Sequence, residues 1–202
     1  GSIYWHMVSK LLLAVMETVM QAEEAGASAD VLAGLQVAYY DVREGIGFNK
    51  TPDVYGAFPT DPYSHTPGFA GARQPGMTGQ VKEEVLTRLL ELGVEVSDAR
   101  VSFKPSVLRR SEFLGSSAKL RYFDIAGASQ AVALEAGELG FTYCQVPVVM
   151  ALADSPSITL HTADGATESV AGSVLTAEQS VSLFKKTGHY VRLDVRVTQV
   201  MD

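Results

Sequence analysis

The chain has one cysteine, Cys144, four histidines, and no cluster of positive charge beyond the pairs Arg109-Arg110 and Lys185-Lys186. A lone cysteine excludes an internal disulfide and any cysteine-cluster metal site. Cys144 lies in an apolar run, so it reads as a buried, inert thiol. A formal charge of −7 without a basic patch argues against nucleic acid or an anionic membrane as partner and favours a neutral ligand. No apolar run has membrane-spanning length. Leu11–Val15 is too short for a signal-peptide core, and Glu17 interrupts it, so the cytoplasm is the expected location. Also missing are a phosphate-binding P-loop, a Rossmann glycine fingerprint, a Gly-x-Ser-x-Gly elbow and a His-Glu-x-x-His pair. These absences remove nucleotide-binding, esterase and zincin readings, and no cofactor is expected.

What is present is an ordinary globular composition. With 202 residues, 47% of them hydrophobic and 19% charged, the chain can bury the core of one large domain or two small ones. It opens on Gly1-Ser2 without methionine and enters a helical pattern at once, which reads as a piece cut from a longer frame. Over Tyr4–Ala25, the residues Trp5, Val8, Leu12, Val15, Met16 and Val19 recur at helical spacing, and Gly26 stops the pattern. Ser28 is a fitting N-cap for a second helix through about Glu44, with Val31, Leu35, Ala38, Tyr39 and Val42 inward. A third helix is predicted over Gly79–Leu92, burying Val81, Val85, Leu89 and Leu92.

After Gly93 the period becomes alternating. Val94–Val96, Arg100–Phe103, Lys119–Ile125, Ala131–Leu134, Leu139–Val149, Ser157–Thr162, Ser169–Leu175 and His189–Val197 read as strands separated by Gly, Pro, Asp and Ser. About eight such runs suggest an antiparallel β-sandwich. In the last of them Val191, Leu193, Val195 and Val197 should be buried and Arg192, Asp194 and Arg196 wet. Thr176–Lys186 fits either a short helix or a loop.

Between the second and third helices lies a segment of about thirty residues, residues 45–79, unusually long for a connection inside a compact domain and for that reason a candidate functional loop. Tyr55, Phe58, Tyr63 and Phe69 are more aromatics than a disordered segment carries. Beside them stand Asp53, Asp61, His65, Arg73, Gln74, Gln80 and Glu83. A saccharide needs this mixture: ring faces cover its C–H surface, while carboxylates, amides and guanidinium groups bind its hydroxyls. Plainer roles stand beside these. Asp53 and Asp61 can start turns, the rings can be core, and Gln80, Glu83 and Glu84 can form the solvated first turn of a helix. His65 has no second histidine at ligand spacing, so no metal is expected.

Three stretches carry a resemblance. They are Ile3-Tyr-Trp-His-Met-Val-Ser-Lys-Leu-Leu-Leu-Ala-Val15, Tyr55-Gly-Ala-Phe-Pro-Thr-Asp-Pro-Tyr-Ser-His-Thr-Pro67 and Gln74-Pro-Gly-Met-Thr-Gly-Gln-Val-Lys-Glu-Glu84. With the β-rich segment that follows, the chain resembles the carboxy-terminal end of the (α/α)-barrel glycoside phosphorylases and hydrolases, the cellobiose-phosphorylase-like group. In that family a glycine-rich turn followed by Gln and a helix lies at the barrel mouth, as Gly79-Gln80 would here. Where those phosphorylases carry a Thr-His pair that helps hold phosphate, this chain has Lys82-Glu83. The departure argues against phosphate use and turns attention to Glu83. The family's general-acid aspartate lies upstream, in a part that this chain does not carry.

The resulting expectation is an α+β chain. Residues 1–93 would be the helical part of an (α/α) toroid and residues 94–202 an antiparallel β-sandwich. The parent enzyme would cleave or phosphorolyse glycosidic bonds, with Glu83 and Asp61 as acid–base candidates and Tyr55, Tyr63, His65, Arg73, Gln74 and Gln80 binding sugar. Its partners would be a saccharide and the rest of its own enzyme or another subunit. The other reading is a non-catalytic carbohydrate-binding or subunit-assembly module.

Overall fold

The computed structural model describes residues 2–46 and 79–201. They form an α+β chain of two compact units, residues 1–90 and 91–202. In the first, α1 (Ser2–Glu24) and α2 (Ala29–Ile46) make a helical hairpin. Its turn is built as the punctuation suggests. Gly26 takes a positive φ of 68°, which lets the Ala27 amide reach back to the Ala22 carbonyl, and Ser28 Oγ accepts from the Val31 amide at 3.4 Å. Leu12, Met16 and Val19 on α1 and Tyr39 and Tyr40 on α2 are buried, the two tyrosine rings meeting edge to face. Val31, expected inward, is exposed, and Tyr40 takes its place in the core.

The third helix, α3 (Gly79–Glu91), corrects the expectation more strongly. Val85, assigned to its buried face, is exposed, as is Leu86, while Glu83 and Thr87, one turn apart, are buried. The 3.6-residue period identified the helix, but not which face the rest of the fold covers.

The second unit opens with β1 (Val94–Ser97) and β2 (Arg100–Phe103), an antiparallel ribbon. Gly93 precedes it with φ 73°, and a Cβ there would lie 2.2 Å from Pro105 N, so only glycine fits. A second ribbon joins β3 (Ala118–Phe123) to β4 (Ser129–Leu134). The remaining strands are β5 (Glu138–Tyr143), β6 (Val146–Leu152), β7 (Ser157–Thr162), β8 (Thr167–Ala171) and β9 (Tyr190–Val197), which build one sheet in the order β5-β6-β9-β7-β8.

Most described pairings are antiparallel, but β6 and β9 run parallel in register Val148↔Leu193 to Leu152↔Val197. That mixed centre departs from the wholly antiparallel expectation. It is possible because α4 (Ala177–Phe184) lies between β8 and β9 and gives the chain length to return in the parallel sense. The segment open to two readings is therefore a helix. Thr176 caps it with a full capping box to Gln179.

Val148, Met150, Ile158, Leu160, Leu193 and Val195 are fully buried, and Val101, Phe103, Val107, Leu108, Leu175 and Leu183 are among the others in this unit's core. Ser180 Oγ on α4 accepts from the Val101 amide at 3.0 Å, tying helix to ribbon. A register shift between His161 and Thr162 opposite β9 explains one misplacement: Tyr190 turns inward and Val191, expected inside, is exposed.

Candidate functional site

Glu83 is the one acid–base candidate among the described residues. It is 2% exposed, so the solvated-first-turn reading does not hold for it. Lys10 Nζ on α1 donates to Glu83 Oε1 at 3.0 Å, while the lysine itself stays half exposed. One turn later Thr87 Oγ1 donates to the Glu83 carbonyl at 2.6 Å. Removing a carboxylate from water costs several kcal/mol unless it is paired, and an ion pair of this kind adds little net stability. Gln80 belongs to the first turn of α3. Asp61, Tyr55, Tyr63, His65, Arg73 and Gln74 lie outside the described residues.

Cys144 is not in mid-strand as expected. The run Leu139–Val149 is two strands, and Cys144-Gln145 is the two-residue turn between β5 and β6. Both turn residues have positive φ, 50° and 66°, as the tight hairpin turn requires, in a place where Asn and Gly are the usual choices. The thiol is half-buried, and burial pushes its pKa up against the opposing pull of Lys186, which fits an inert group.

The sequence reading missed a cleft of about 430 Å³ in the sheet unit, between the β3–β4 ribbon, the Cys144-Gln145 turn and the start of β9. Tyr122 and Tyr190 line it, with Val132, Val146 and Pro147 as its apolar surface. Asp124, Gln130, Gln145 and Arg192 supply polar groups. Asp124 organises one wall. Its Oδ1 accepts from the Ala126 and Ala128 amides, each at 2.9 Å, and its Oδ2 from Gln130 Nε2 at 2.9 Å. The Gln130 bond first, and the backbone bonds after it, hold the Asp124 carboxyl below its ordinary value.

Gln145 is fixed at both ends, donating from Nε2 to the Asp124 carbonyl at 2.9 Å and accepting from Lys186 Nζ at 2.6 Å. Arg192 Nε donates to Asp194 Oδ1 at 2.6 Å, and His161 Nε2 meets the other oxygen at 2.7 Å. Tyr190 donates to Glu168 Oε2 at 3.0 Å. Burial and that bond push its phenol up to about 12. Each of these residues has an ordinary local role when read alone. The one trace in the sequence was the Asp124–Gly127 turn signal next to the tyrosine-bearing strand β3.

Among the described residues no group of three or more His, Cys, Asp or Glu side chains gathers as a metal site, and no helix is long and apolar enough to cross a membrane. No protein-family model matches the chain, and no curated protein is significantly similar to it.

Proposed function

We propose that the chain is the carboxy-terminal portion of a carbohydrate-active enzyme that cleaves or phosphorolyses glycosidic bonds, and that it contributes part of the sugar site. In this reading residues 1–93 are the last helices of an (α/α) barrel and residues 94–202 its β-sandwich. The observation that carries the proposal is Glu83: a buried carboxylate on α3, oriented by Lys10 of a different helix. It follows Gly79-Gln80, whose sequence resembles the barrel-mouth motif of the phosphorylases. Exposed Met7, Leu11, Val31, Val37, Val85 and Leu86 add support, since helices that leave such faces open suit packing against further helices.

The chemistry is that of paired carboxyls. One protonates the leaving oxygen while a carboxylate on the other side activates water, or phosphate attacks directly. Glu83 and Asp61 are the candidate pair in this reading, with the Lys10 ammonium fixing one Glu83 oxygen at 3.0 Å. The test is glycoside turnover by the enzyme assembled with its remaining barrel. Glu83→Gln should lower kcat by roughly 10²–10⁴-fold, the usual worth of acid–base catalysis. Melting measured in parallel separates chemistry from folding, because loss confined to the unfolded fraction would mark Glu83 as structural. Activity that survives Glu83→Gln and Asp61→Asn together sinks the proposal.

The second reading, a non-catalytic binding or assembly module, is favoured by the cleft in the sheet unit, which needs no residue of the helical unit.

A further inference from the structure

The cleft in the sheet unit has the chemistry of a ligand site in its own right. Its volume of about 430 Å³ falls within the range of small-molecule pockets, roughly 300–1,000 Å³. It combines aromatic rings and aliphatic carbon with amides, one carboxylate and one guanidinium. Asp124 and Arg192 are its charged side chains, and Arg192 is already paired with Asp194, so no excess of positive charge is left to select a strongly anionic ligand. Tyr122 and Tyr190 are both held neutral, Tyr122 by burial and by the nearby Asp124 charge.

The polar lining is also set in advance. Asp124, Gln130, Gln145, Tyr190 and Arg192 each have a hydrogen bond to the protein, yet each keeps an unused donor or acceptor. A fixed lining lowers the ordering cost of binding. Gln145 and Lys186 bond to each other beside the cleft, Gln145 held by the β5–β6 turn and Lys186 by the end of α4.

We infer that this cleft binds one neutral sugar residue, with Tyr122 and Tyr190 against its C–H surface and Gln130, Gln145, Asp124 and Arg192 on its hydroxyls. A neutral hydroxyl-rich ring uses apolar faces and two-way hydrogen bonding together. The site shares a ligand class with the proposed enzyme but not its residues, so the cleft stands without Glu83.

The test is a titration of the full chain with glucose, cellobiose and maltose, followed by backbone amide NMR shifts. A ligand of so few atoms should bind in the millimolar range. Saturable shifts are expected at Tyr122, Gln130, Gln145, Tyr190 and Arg192, and Tyr122→Ala and Gln130→Ala should each weaken binding about tenfold or more. Tyr122 is half-buried and Gln130 exposed on a peripheral ribbon, so both variants should keep the parent spectrum elsewhere. Cleft shifts that persist in Glu83→Gln support the assignment and separate it from the catalytic reading. Absence of saturable shifts with all three sugars overturns it. So do shifts confined to residues 1–90, binding that ignores both cleft substitutions, and saturation by adenosine but not by the sugars.

Discussion

Among the described residues the helical unit buries five large apolar side chains, Leu12, Met16, Val19, Tyr39 and Tyr40, and exposes six. The sheet unit also exposes six, Val96, Phe123, Ile125, Val181, Phe184 and Val191, but it buries nineteen, from Leu92 to Val197. Buried polar groups occur in both units: Glu83 and Thr87 in the helices, beside wet Val85 and Leu86, and Glu91 where the sheet unit begins. The Asp194 cluster and Glu168 stay nearer the surface, and hydrocarbon fills most of the sheet unit's interior. Burial of hydrocarbon is the main favourable term in folding. The sheet unit thus has the makings of independent stability, whereas the described helices leave apolar side chains exposed.

The largest expected effect tests that contrast directly. Residues 91–202 alone should give a cooperative thermal melt, and residues 1–90 alone should not. A sharp melt from the helical piece would break the comparison. Point substitutions should follow the same divide. Leu193→Ala removes a fully buried side chain beneath the parallel β6–β9 pair and should cost about 2–5 kcal/mol. Gly93→Ala should cost roughly 3 kcal/mol or more, because the added carbon meets Pro105 backbone and the residue must keep a left-handed φ. Val85→Ala, a change of comparable kind at an exposed helical position, should stay within about 0.5 kcal/mol. Chemical denaturation of the three variants in the full chain measures all of this. Equal losses at Val85 and Leu193 would show that the exposed helical face is already covered.

Legibility in the sequence divides along similar lines. Helix and strand positions were readable because they rest on local period and punctuation, such as Gly26 and Ser28 at the α1–α2 turn. The buried face of α3 was not, because a helix with Val85 and Leu86 on one side and Glu83 and Thr87 on the other declares two faces, and only tertiary packing chooses between them. The β5–β6 turn was hidden because Cys144-Gln145 lacks the glycine or asparagine that marks such turns. The parallel pairing of β6 with β9 joins segments some forty residues apart, and no local pattern encodes it. Glu83 drew attention because Lys82-Glu83 departs from the pattern that the stretch resembles. The cleft drew none, since Tyr122, Gln145 and Tyr190 come from three separate segments that meet only in the fold.

The smallest expected effect sharpens the claim that the sheet unit's polar groups are fixed in advance. Tyr190 is buried and donates to Glu168, which also accepts from Gln179 at 2.9 Å. Those Gln179 and Tyr190 bonds hold the Glu168 carboxyl below its ordinary value, and burial with the Glu168 bond raises Tyr190 from 10.0 to about 12. A phenol whose folded value is raised stabilises the fold fully below its unfolded value near 10, and that contribution fades as pH rises through about 12. Glu168 has the opposite sign, with its contribution present above the unfolded carboxyl value and lost as pH falls through the depressed folded one. In an alkaline absorbance titration with circular dichroism followed alongside, one tyrosine should therefore ionise only near pH 12, and Tyr190→Phe should remove that step. Glu168→Gln, which takes away the charge but leaves an acceptor, should bring the step back toward 10. A Tyr190 that titrates near 10 in the folded parent would mean that the hydroxyl is wet and the Glu168 bond is loose, and that the lining beside it is no more organised than the open faces of the helices.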